Sequence, residues 1–320
     1  MKIHTSMESL CEIKNAVVTT GSFDGVHHGH SYIIGLMNKL AKQINGESVL
    51  ITFHPHPRKV LNPESKEQLI LSQREKMKAL EATGLDHVVV ITFTIEFAKM
   101  SPMDFIRKYI VERIHAKKVI IGYDHAFGAN REGNFEYLYE LGKYYGFEVI
   151  EIEAQDVKHV SVSSTKIRRA LMDGDILRAN DYLGHSYIVE GKVIHGSRLG
   201  RKIGFRTANV KIEEDVKLLP YTGVYIVKVN IENKNYKGIV HISRTENIAS
   251  GKESNRILKV HILDFNDDIY DQYICLSFIG RLRDVKEFRN VNSLINQLKA
   301  DRNSVAQLKL TDEKRWNISA

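Results

Sequence analysis

Residues 19–30, which read TTGSFDGVHHGH, constrain the fold of this chain more than any other stretch. Three apolar residues, 16–18, lead into Gly21 and Gly25, and a His-x-Gly-His block then opens a helical pattern at Ser31. This order predicts a strand, a tight glycine turn and a helix N-terminus. Glycine lets the backbone approach an anion closely, and the unpaired N–H groups at a helix start stabilise negative charge. The stretch therefore predicts a phosphate site.

The first part of the chain alternates strand-like with helix-like segments. Its predicted strands are short runs rich in Val and Ile, at residues 16–20, 48–53, 87–93, 118–122 and 147–152. Ser72 and Ser101 are predicted helix N-caps, with Pro102 at the first helical position, and Gly146 is a predicted C-terminal stop. Strands separated by helices predict an α/β domain with a Rossmann-like parallel sheet, which binds ligands beyond the carboxyl ends of its strands.

The pattern changes after Gly184, which two predicted helices precede, one reading STKIRRALMDGD and one at 176–183. The predicted elements from there on are alternating strands at 187–195, 224–231, 237–243, 258–265 and 273–279, a hairpin turn around Asn233, and a helix from Val291 to about Ala300. The sequence thus predicts two domains, 1–184 and 185–320. The second is expected to be a small antiparallel β-barrel with a C-terminal helix.

The composition restricts the class of protein. With 320 residues, 43% of them hydrophobic, the chain can bury a core in each of two domains. Its net charge of +7 comes from basic residues scattered among acidic ones, which favours phosphorylated small molecules over nucleic acid as ligands. Cys11 and Cys275 are too few for a disulfide framework or a structural zinc site. No signal core and no run of ~18 apolar residues is present, so we expect a cytoplasmic protein without a membrane partner.

His27 and His30 stand at the predicted helix start. Their ring N–H groups can donate to phosphate oxygens at a nucleotidyl transition state, where negative charge builds on the α-phosphate. Two alternatives remain. They could be surface histidines, or they could bind zinc together with His54 and His56, although no cysteine or HExxH spacing supports a metal. His28, between them, is expected to be structural or to face solvent.

Two further loops follow predicted strands at the same edge of the sheet. His54 and Pro55 begin a proline-stiffened loop, whose position beside the first glycine turn favours a ligand role over a purely structural one. In the loop that reads GYDHAFG, Asp124 could hydrogen-bond a ligand and Phe127 could stack on a flat ring. Arg131, just beyond it, could bind a phosphate. A structural turn is the alternative for this second loop.

A second anion site is predicted where the SSTKIR stretch opens a helix. The hydroxyl groups of Ser163, Ser164 and Thr165 lie at the helix start, where backbone N–H groups are unpaired. Arg168 follows one turn later, so its guanidinium can bind the same anion. A plain capping motif is the alternative, since Ser and Thr are ordinary caps.

The GxFDGxHxGH block, the TFHPHP loop, the GxDxxFG loop with its later RxG, and the SSTxIR helix resemble, in order and spacing, the bacterial FAD synthetase module. Over essentially its whole length the chain resembles the bifunctional riboflavin kinase/FMN adenylyltransferase family. The resemblance implies that the phosphate of FMN attacks the α-phosphate of ATP, with a requirement for Mg²⁺, to give FAD and pyrophosphate. His27 and His30 would stabilise the transition state, and Arg168 would hold the ATP phosphates with Ser164 and Thr165. The residues implied to bind ATP or the flavin are Gly21, Phe23, Asp24, Gly25, His54, Pro55, Asp124, Phe127, Gly128, Arg131, Ser163, Ser164 and Thr165.

The second half resembles riboflavin kinase, with departures. Its stretch GSRLGRKIGFRTAN matches the glycine loop and the Pro-Thr-Ala-Asn element that hold Mg²⁺ and the ATP phosphates. Thr207 and Asn209 are retained as the implied ligands, but Arg206 replaces the proline. Lys259 stands where the family usually has the glutamate that accepts the proton of the attacking riboflavin hydroxyl. A lysine with an ordinary pKa of about 10.4 is protonated and cannot be that base. Residues 241–243, HIS, replace the family's Asn-Ile-Gly.

We therefore expect an FMN adenylyltransferase fused to a kinase-like barrel with weakened or lost riboflavin kinase activity. If Glu246 or Glu253 in a neighbouring loop supplies the base instead, the chain is fully bifunctional. A non-catalytic flavin- or nucleotide-binding regulator is a second hypothesis, against which the intact HxGH and SSTxIR elements argue. RNA binding is a third, but the sequence has no RNP-type aromatic motif and no concentrated basic stripe.

Overall fold

The computed structural model describes residues 1–7, 9–122, 127–129, 132–152, 162–196, 200, 204–214, 216–244 and 256–308. The chain forms two compact units. The first comprises Met1–Glu67 and Lys76–Val162, and the second comprises Gln68–Glu75 and Ser163–Ala320. Ser163 to Leu183 therefore cluster with the barrel rather than with the sheet, and a domain boundary near Gly184 stays a prediction.

The first unit is built on a six-stranded sheet whose paired strands are all parallel, in the order β1-β4-β3-β2-β5-β6. Its strands are β1 (Lys2–His4), β2 (Val17–Thr20), β3 (Ser48–His54), β4 (His87–Thr92), β5 (Lys118–Gly122) and β6 (Glu148–Ile152). Most Val and Ile residues of the central strands are buried, as expected for a sheet covered on both faces. The Rossmann-like prediction is confirmed. The structure adds β1, a strand of three residues that is too short to be predicted from periodicity.

Helices alternate with these strands. They are α1 (His28–Gln43), α2 (Pro57–Leu61), α3 (Gln73–Glu81), α4 (Ile95–Ala98), α5 (Pro102–Phe105), directly followed by a π-helical segment at Ile106–Val111, and α6 (Phe135–Tyr145). The predicted ends are confirmed. Oγ of Ser101 accepts the N–H of Asp104 at 3.0 Å, and Gly146 stops α6 with a φ of +82°. Ser72 and Glu75 form a reciprocal capping box at the start of α3, with hydrogen bonds of 3.2 and 2.8 Å.

The predicted start of the first helix is wrong. Helix α1 begins at His28 rather than at Ser31. The reason is that His27 is the N-cap and its side chain accepts the N–H of His30, which closes the first turn three residues earlier. His30 therefore lies in the first turn of the helix.

The second unit contains a closed antiparallel barrel with strand order β10-β11-β8-β7-β12-β9. Its elements are α7 (Ser164–Met172), α8 (Ile176–Leu183), β7 (Tyr187–Ile194), β8 (Ala208–Lys211), β9 (Gly223–Ile231), β10 (Lys234–Arg244), β11 (Arg256–Ile262), β12 (Tyr273–Arg283) and α9 (Val291–Gln307). The barrel, its terminal helix and the hairpin turn are confirmed, the turn by φ values of +48° and +64° at Glu232 and Asn233. Strand β11 ends before the predicted Phe265, since Asp264 has a φ of +55°. Helix α9 is longer than predicted.

A short segment from the first half of the sequence belongs to the second unit. Leu69 in this segment, residues 68–75, forms a parallel bridge with Lys217. Nζ of Lys217 lies 2.6 Å from Oε2 of Glu75, and both side chains are almost fully buried. Nζ also donates to the carbonyl oxygens of Ile70 and Ile188 at 2.7 and 2.8 Å. A buried ion pair with its remaining protons satisfied costs little, whereas removing one partner is strongly destabilising.

None of the helices in the described part of the chain is long and apolar enough to cross a membrane.

Candidate active site

The loop between β2 and α1 follows the strand at which the sheet order reverses, since β3 and β4 lie on one side of β2 and β5 and β6 on the other. Ligands of doubly wound sheets bind at this position. Gly25 has a φ of +94°, and Phe23 and Val26 have φ values of +49° and +41°. Such left-handed values are uncommon outside glycine, and the strain they carry is typical of functional loops. The fold thus holds this loop in a strained backbone conformation.

Three aromatic rings stack inside this loop. The ring centroids of Phe23 and His30 are 4.4 Å apart, and those of His30 and His27 are 3.7 Å apart. Gly21 makes room for the stack, because a Cβ there would lie 2.9 Å from Cε2 of Phe23. His27 is held in turn as the N-cap of α1, with Nδ1 3.4 Å from the backbone nitrogen of His30. The two imidazoles are therefore fixed side by side at a helix N-terminus.

The electrostatics of the loop keep His30 neutral. Burial, then the neighbouring His27, then the ammonium group of Lys76 lower the pKa of His30 well below its ordinary value. Among the described residues, Nδ1 of His30 is buried and has no hydrogen-bond partner. A buried ring nitrogen without a partner is costly in a folded protein. Such a group fits a site that binds a polar ligand.

Lys76, on α3, lies outside all the sequence motifs that predicted this site. Its side chain is buried, and Nζ lies 3.2 Å from Oγ1 of Thr52 and 3.4 and 3.5 Å from the carbonyl oxygens of Ser22 and Phe53. These contacts place its ammonium group where β2 and β3 end. A buried lysine carries no sequence motif, so only the fold reveals it. The edge of the sheet therefore combines two imidazoles with one fixed positive charge.

The site thus combines an HxGH helix start with a buried cation on a Rossmann-like sheet. Comparisons with known sequences agree with this arrangement. Sequence models described as FAD synthetase and riboflavin kinase match residues 11–166 and 183–309. A bifunctional riboflavin kinase/FMN adenylyltransferase from Buchnera aphidicola is 34% identical, covering 94% of this chain and 96% of that protein. One from Listeria monocytogenes is 36% identical, covering 90% of each. The chain belongs to the bifunctional riboflavin kinase/FMN adenylyltransferase family.

A solved structure agrees over nearly the full length. A crystal structure described as a macrolide-efflux protein from Streptococcus pneumoniae has a TM-score of 0.85 and 29% identity, and covers 96% of this chain and 99% of that one. The family membership and the two-part fold predicted from the motifs are therefore confirmed. The roles of individual residues stay predictions.

Around the stacked rings, the family-type residues of the first unit lie as follows. Asp24 is buried within the loop, and His28 is exposed, as expected. His54 ends β3 and is exposed, as is Pro55, while Nδ1 of His56 accepts the N–H of Arg58 at 3.2 Å and caps α2. Among the described residues, His27, His28, His30, His54 and His56 do not belong to any group of three or more side chains placed to hold a metal ion. The zinc alternative for these loops is not supported.

The loop after β5 is described only in part. Asp124 and Arg131 lie outside the described residues, so their predicted roles rest on the resemblance alone. Phe127 is 9% exposed, and its ring centroid lies 6.3 Å from that of Phe105 in the core. Gly128 has a φ of +75°, and a Cβ there would lie 2.6 Å from Pro102. As it stands, Phe127 packs in the core, and stacking on a flavin stays a prediction.

In the second unit, the SSTKIR stretch forms the start of α7. Oγ of Ser163 accepts the N–H of Lys166 at 3.3 Å, so the capping function is present. Ser164 is partly exposed and Thr165 is exposed. Arg168 is buried, and its Nε donates to the carbonyl oxygen of Gln68 at 2.9 Å. One edge of the guanidinium is thus held by the backbone, which orients the side chain.

The barrel brings the kinase positions together. Asn209 of β8 is paired directly with Lys259 of β11, and Lys259 is paired with His241 of β10. Residues directly opposite in antiparallel strands share one face. Burial, then the charges of Lys259 and Arg283, lower the pKa of His241. The environment at these positions is therefore positively charged, where the family's glutamate would make it negative.

Thr207 lines a cavity of about 170 Å³ in the second unit, together with Asp267 and Asp268. Arg206, which replaces the family's proline, donates through Nη1 to the carbonyl oxygen of Asn266 at 2.6 Å. Its own carbonyl oxygen lies 2.8 Å from Nδ1 of His261. Arg206 thus ties β8 to the loop that bounds the cavity. The alternative bases Glu246 and Glu253 lie outside the described residues.

Proposed function

We propose that this chain makes FAD and pyrophosphate from FMN and ATP, and that its riboflavin kinase activity is weak or absent. The observation that carries the first part is the fixed pair of imidazoles at the N-terminus of α1, with the ammonium group of Lys76 near His30. Helix N-termini, imidazole N–H groups and a buried cation all favour negatively charged phosphate oxygens.

The proposed reaction is a single displacement at the α-phosphorus of ATP. An oxygen of the FMN phosphate forms the new P–O bond, and the bond to the bridging oxygen of the β-phosphate breaks, so that pyrophosphate leaves with its electron pair. The attacking phosphate is already anionic and needs no base. Catalysis then comes from positioning and from donors aimed at the charge that builds on the α-phosphate. A neutral His30 serves by donating its N–H.

The remaining roles follow the family resemblance and are part of the proposal. Ser163, Ser164, Thr165 and Arg168 would bind the ATP phosphates at the start of α7, where helix N–H groups are available. Asp124, Phe127 and Arg131 would contact the flavin. His27, His30 and Lys76 suit phosphate oxygens and offer no oxygen ligand to Mg²⁺, so no metal ligand is assigned among them. Mg²⁺ bound to the ATP phosphates would neutralise part of their charge.

The barrel suits a kinase poorly. Thr207 and Asn209 can offer oxygen ligands to Mg²⁺, but Lys259 is the register partner of Asn209 and adds a positive charge on the same face. A protonated lysine repels Mg²⁺ and cannot accept the proton of the riboflavin hydroxyl. We infer that the barrel still binds flavin or nucleotide but transfers a phosphoryl group slowly or not at all. The fully bifunctional alternative requires another base.

The test is to incubate the purified chain with FMN, ATP and Mg²⁺ and to separate the flavins by chromatography. FAD and pyrophosphate should appear in equal amounts. The matched control replaces ATP by its α,β-methylene analogue, whose P–C bond blocks pyrophosphate release but leaves the γ-phosphate transferable. FAD should then not form. Binding of both substrates without any FAD from ATP would instead support the regulator hypothesis.

A further inference from the structure

A second cluster of ionisable side chains lies at the opposite edge of the sheet. Nε2 of His4, at the end of β1, is 2.9 Å from Nδ1 of His87, the first residue of β4. One ligand atom from each of His4, Cys11 and His87 lies within 4.8 Å of the other two. Both imidazoles are buried, with 6% and 1% exposure, while Cys11 is exposed. The cluster thus combines two buried imidazoles with one thiol that solvent can reach.

The outer nitrogens of the two imidazoles each face an oxygen that can only accept a hydrogen bond. Nδ1 of His4 lies 3.3 Å from the carbonyl oxygen of Ser9. Nε2 of His87 lies 3.3 Å from Oε1 of Glu47. Because neither oxygen carries a proton, each contact can become a hydrogen bond only if the ring nitrogen that faces the oxygen is the protonated one. In neutral rings of that tautomer, the two inner nitrogens, 2.9 Å apart, both present lone pairs and can share one cation.

The partners of this cluster are those of a metal site. Ligating histidines usually donate their other ring N–H to a carboxylate or a backbone carbonyl, as Glu47 and Ser9 would accept here. Two imidazole nitrogens and one thiolate are a typical ligand set for zinc, and three protein ligands leave a fourth position for water. Tetrahedral zinc has Zn–N distances of about 2.0 Å and a Zn–S distance of about 2.3 Å, so the three ligand atoms would draw closer together on binding.

We propose that His4, Cys11 and His87 bind one Zn²⁺ ion. The ion takes the place of the hydrogen bond between the two rings, and the thiol of Cys11 releases its proton to solvent on binding. Because β1 is a three-residue edge strand, the metal fastens the amino-terminal segment to β4. The site stabilises the fold and takes no part in adenylyl transfer, since His87 begins its strand whereas the phosphate loop follows the end of β2.

The experiment uses the full chain, stripped of metal with a chelator, reloaded with Zn²⁺ and desalted. Mass spectrometry of the metal should find one zinc per chain. Cys275 provides the matched control, because it is the only other cysteine. Cys11→Ser should lose the zinc, and Cys275→Ser should keep it. Zn²⁺ should raise the melting temperature of the wild type and of Cys275→Ser, but not of Cys11→Ser.

Cobalt substitution supplies an independent measurement. Co²⁺ bound to a thiolate gives a charge-transfer band in the near ultraviolet, which should appear in the wild type and in Cys275→Ser and be absent from Cys11→Ser. FAD formation should be the same in all three proteins, so a failure of the adenylyltransferase proposal leaves this test intact. Wild-type protein that retains no zinc, or Cys11→Ser protein that retains as much as the wild type, would overturn the proposal.

Discussion

The phosphate loop of the first unit and the strand pair β8/β11 of the barrel each carry residues proposed for one of the two reactions, but the charges at the two places differ. In the loop, the glycine turn, the stacked imidazoles and Lys76 all favour negative charge. In the barrel, the strands keep their register and place Thr207, Asn209 and Lys259 together, but the charge at the third position is opposite to that of the family's glutamate. The proposed loss of kinase activity therefore rests on one changed side chain and not on a changed strand register.

The largest expected effect is in the loop. His30→Ala removes one donor at the α-phosphate and should lower kcat for FAD formation about 10²- to 10³-fold, with a smaller change in KM. His28→Ala is the matched control, because His28 is the exposed neighbour in the same turn. Steady-state FAD formation, measured by chromatography, gives both constants. Equal losses in the two variants would show that the loop acts only as a scaffold.

The reverse change in the barrel sharpens the contrast. Lys259→Glu replaces the ammonium group by a carboxylate, and should raise FMN formation from riboflavin about 10²-fold, the lower end of what a general base contributes. Lys259→Gln removes the charge without supplying a base and should give a much smaller gain. A phosphorylation assay with α,β-methylene-ATP keeps the product as FMN. No gain in either variant would place the cause at Arg206 or at residues 241–243 instead.

Lys76→Met tests the fixed charge. Loss of an ammonium group near phosphates is expected to lower FAD formation about 10-fold, equivalent to ~1.4 kcal/mol. Lys39→Met, at an exposed position of α1, is the control. Because Lys76 contributes to lowering the pKa of His30, the variant should raise that pKa towards 6.5, which NMR titration of the ring can follow. An unchanged pKa would contradict the assigned interaction.

The same pKa shift has a consequence for stability. His30 has a lower pKa in the folded chain than in the unfolded one, so the unfolded chain binds more protons below pH 6.5. The free energy of unfolding should therefore fall as the pH drops from 6.5 towards the folded-state pKa, and fall less in Lys76→Met. Denaturant titrations of both proteins at a series of pH values measure this difference.

The smallest effect is expected at Gly21. A Cβ at this position would lie 2.9 Å from Cε2 of Phe23, so Gly21→Ala should displace the ring that packs on His30 by a few tenths of an ångström. FAD formation should fall about 3-fold, since small misplacements of catalytic groups are costly. Gly35→Ala, which has open space around its Cβ, is the control. Full activity in Gly21→Ala would show that the ring stack does not set the position of His30.

Local patterns in the sequence predicted most of the fold. Strand β5 was predicted with the observed bounds, and the caps at Ser72, Ser101 and Gly146 form as expected, because each depends on residues within one turn. The start of α1 was missed because His27, an unusual cap, accepts the helix N–H. Strand β8 was missed because its four residues follow a glycine loop and show too little alternation.

Side chains that are distant in sequence set the limit for the sites. The HxGH and SSTxIR motifs identify themselves, but Lys76 approaches the loop only after α3 folds onto the edge of the sheet. The pairing of His4 with His87 spans 83 residues. The cysteine count alone does not reveal the proposed zinc site, because a ligand set of two histidines and one cysteine needs only one cysteine. Such contacts depend on strand order, which the sequence does not state.

The central claim is that the adenylyltransferase site is active and that the kinase site is weak or inactive. One assay that pairs the two reactions tests it. One preparation of the wild-type chain is given FMN with ATP and, separately, riboflavin with α,β-methylene-ATP, both with Mg²⁺. The account predicts that FAD forms at least about 10²-fold faster than FMN, the difference expected when a general base is missing. Comparable rates of the two reactions would contradict it, and would assign the kinase a base other than Lys259.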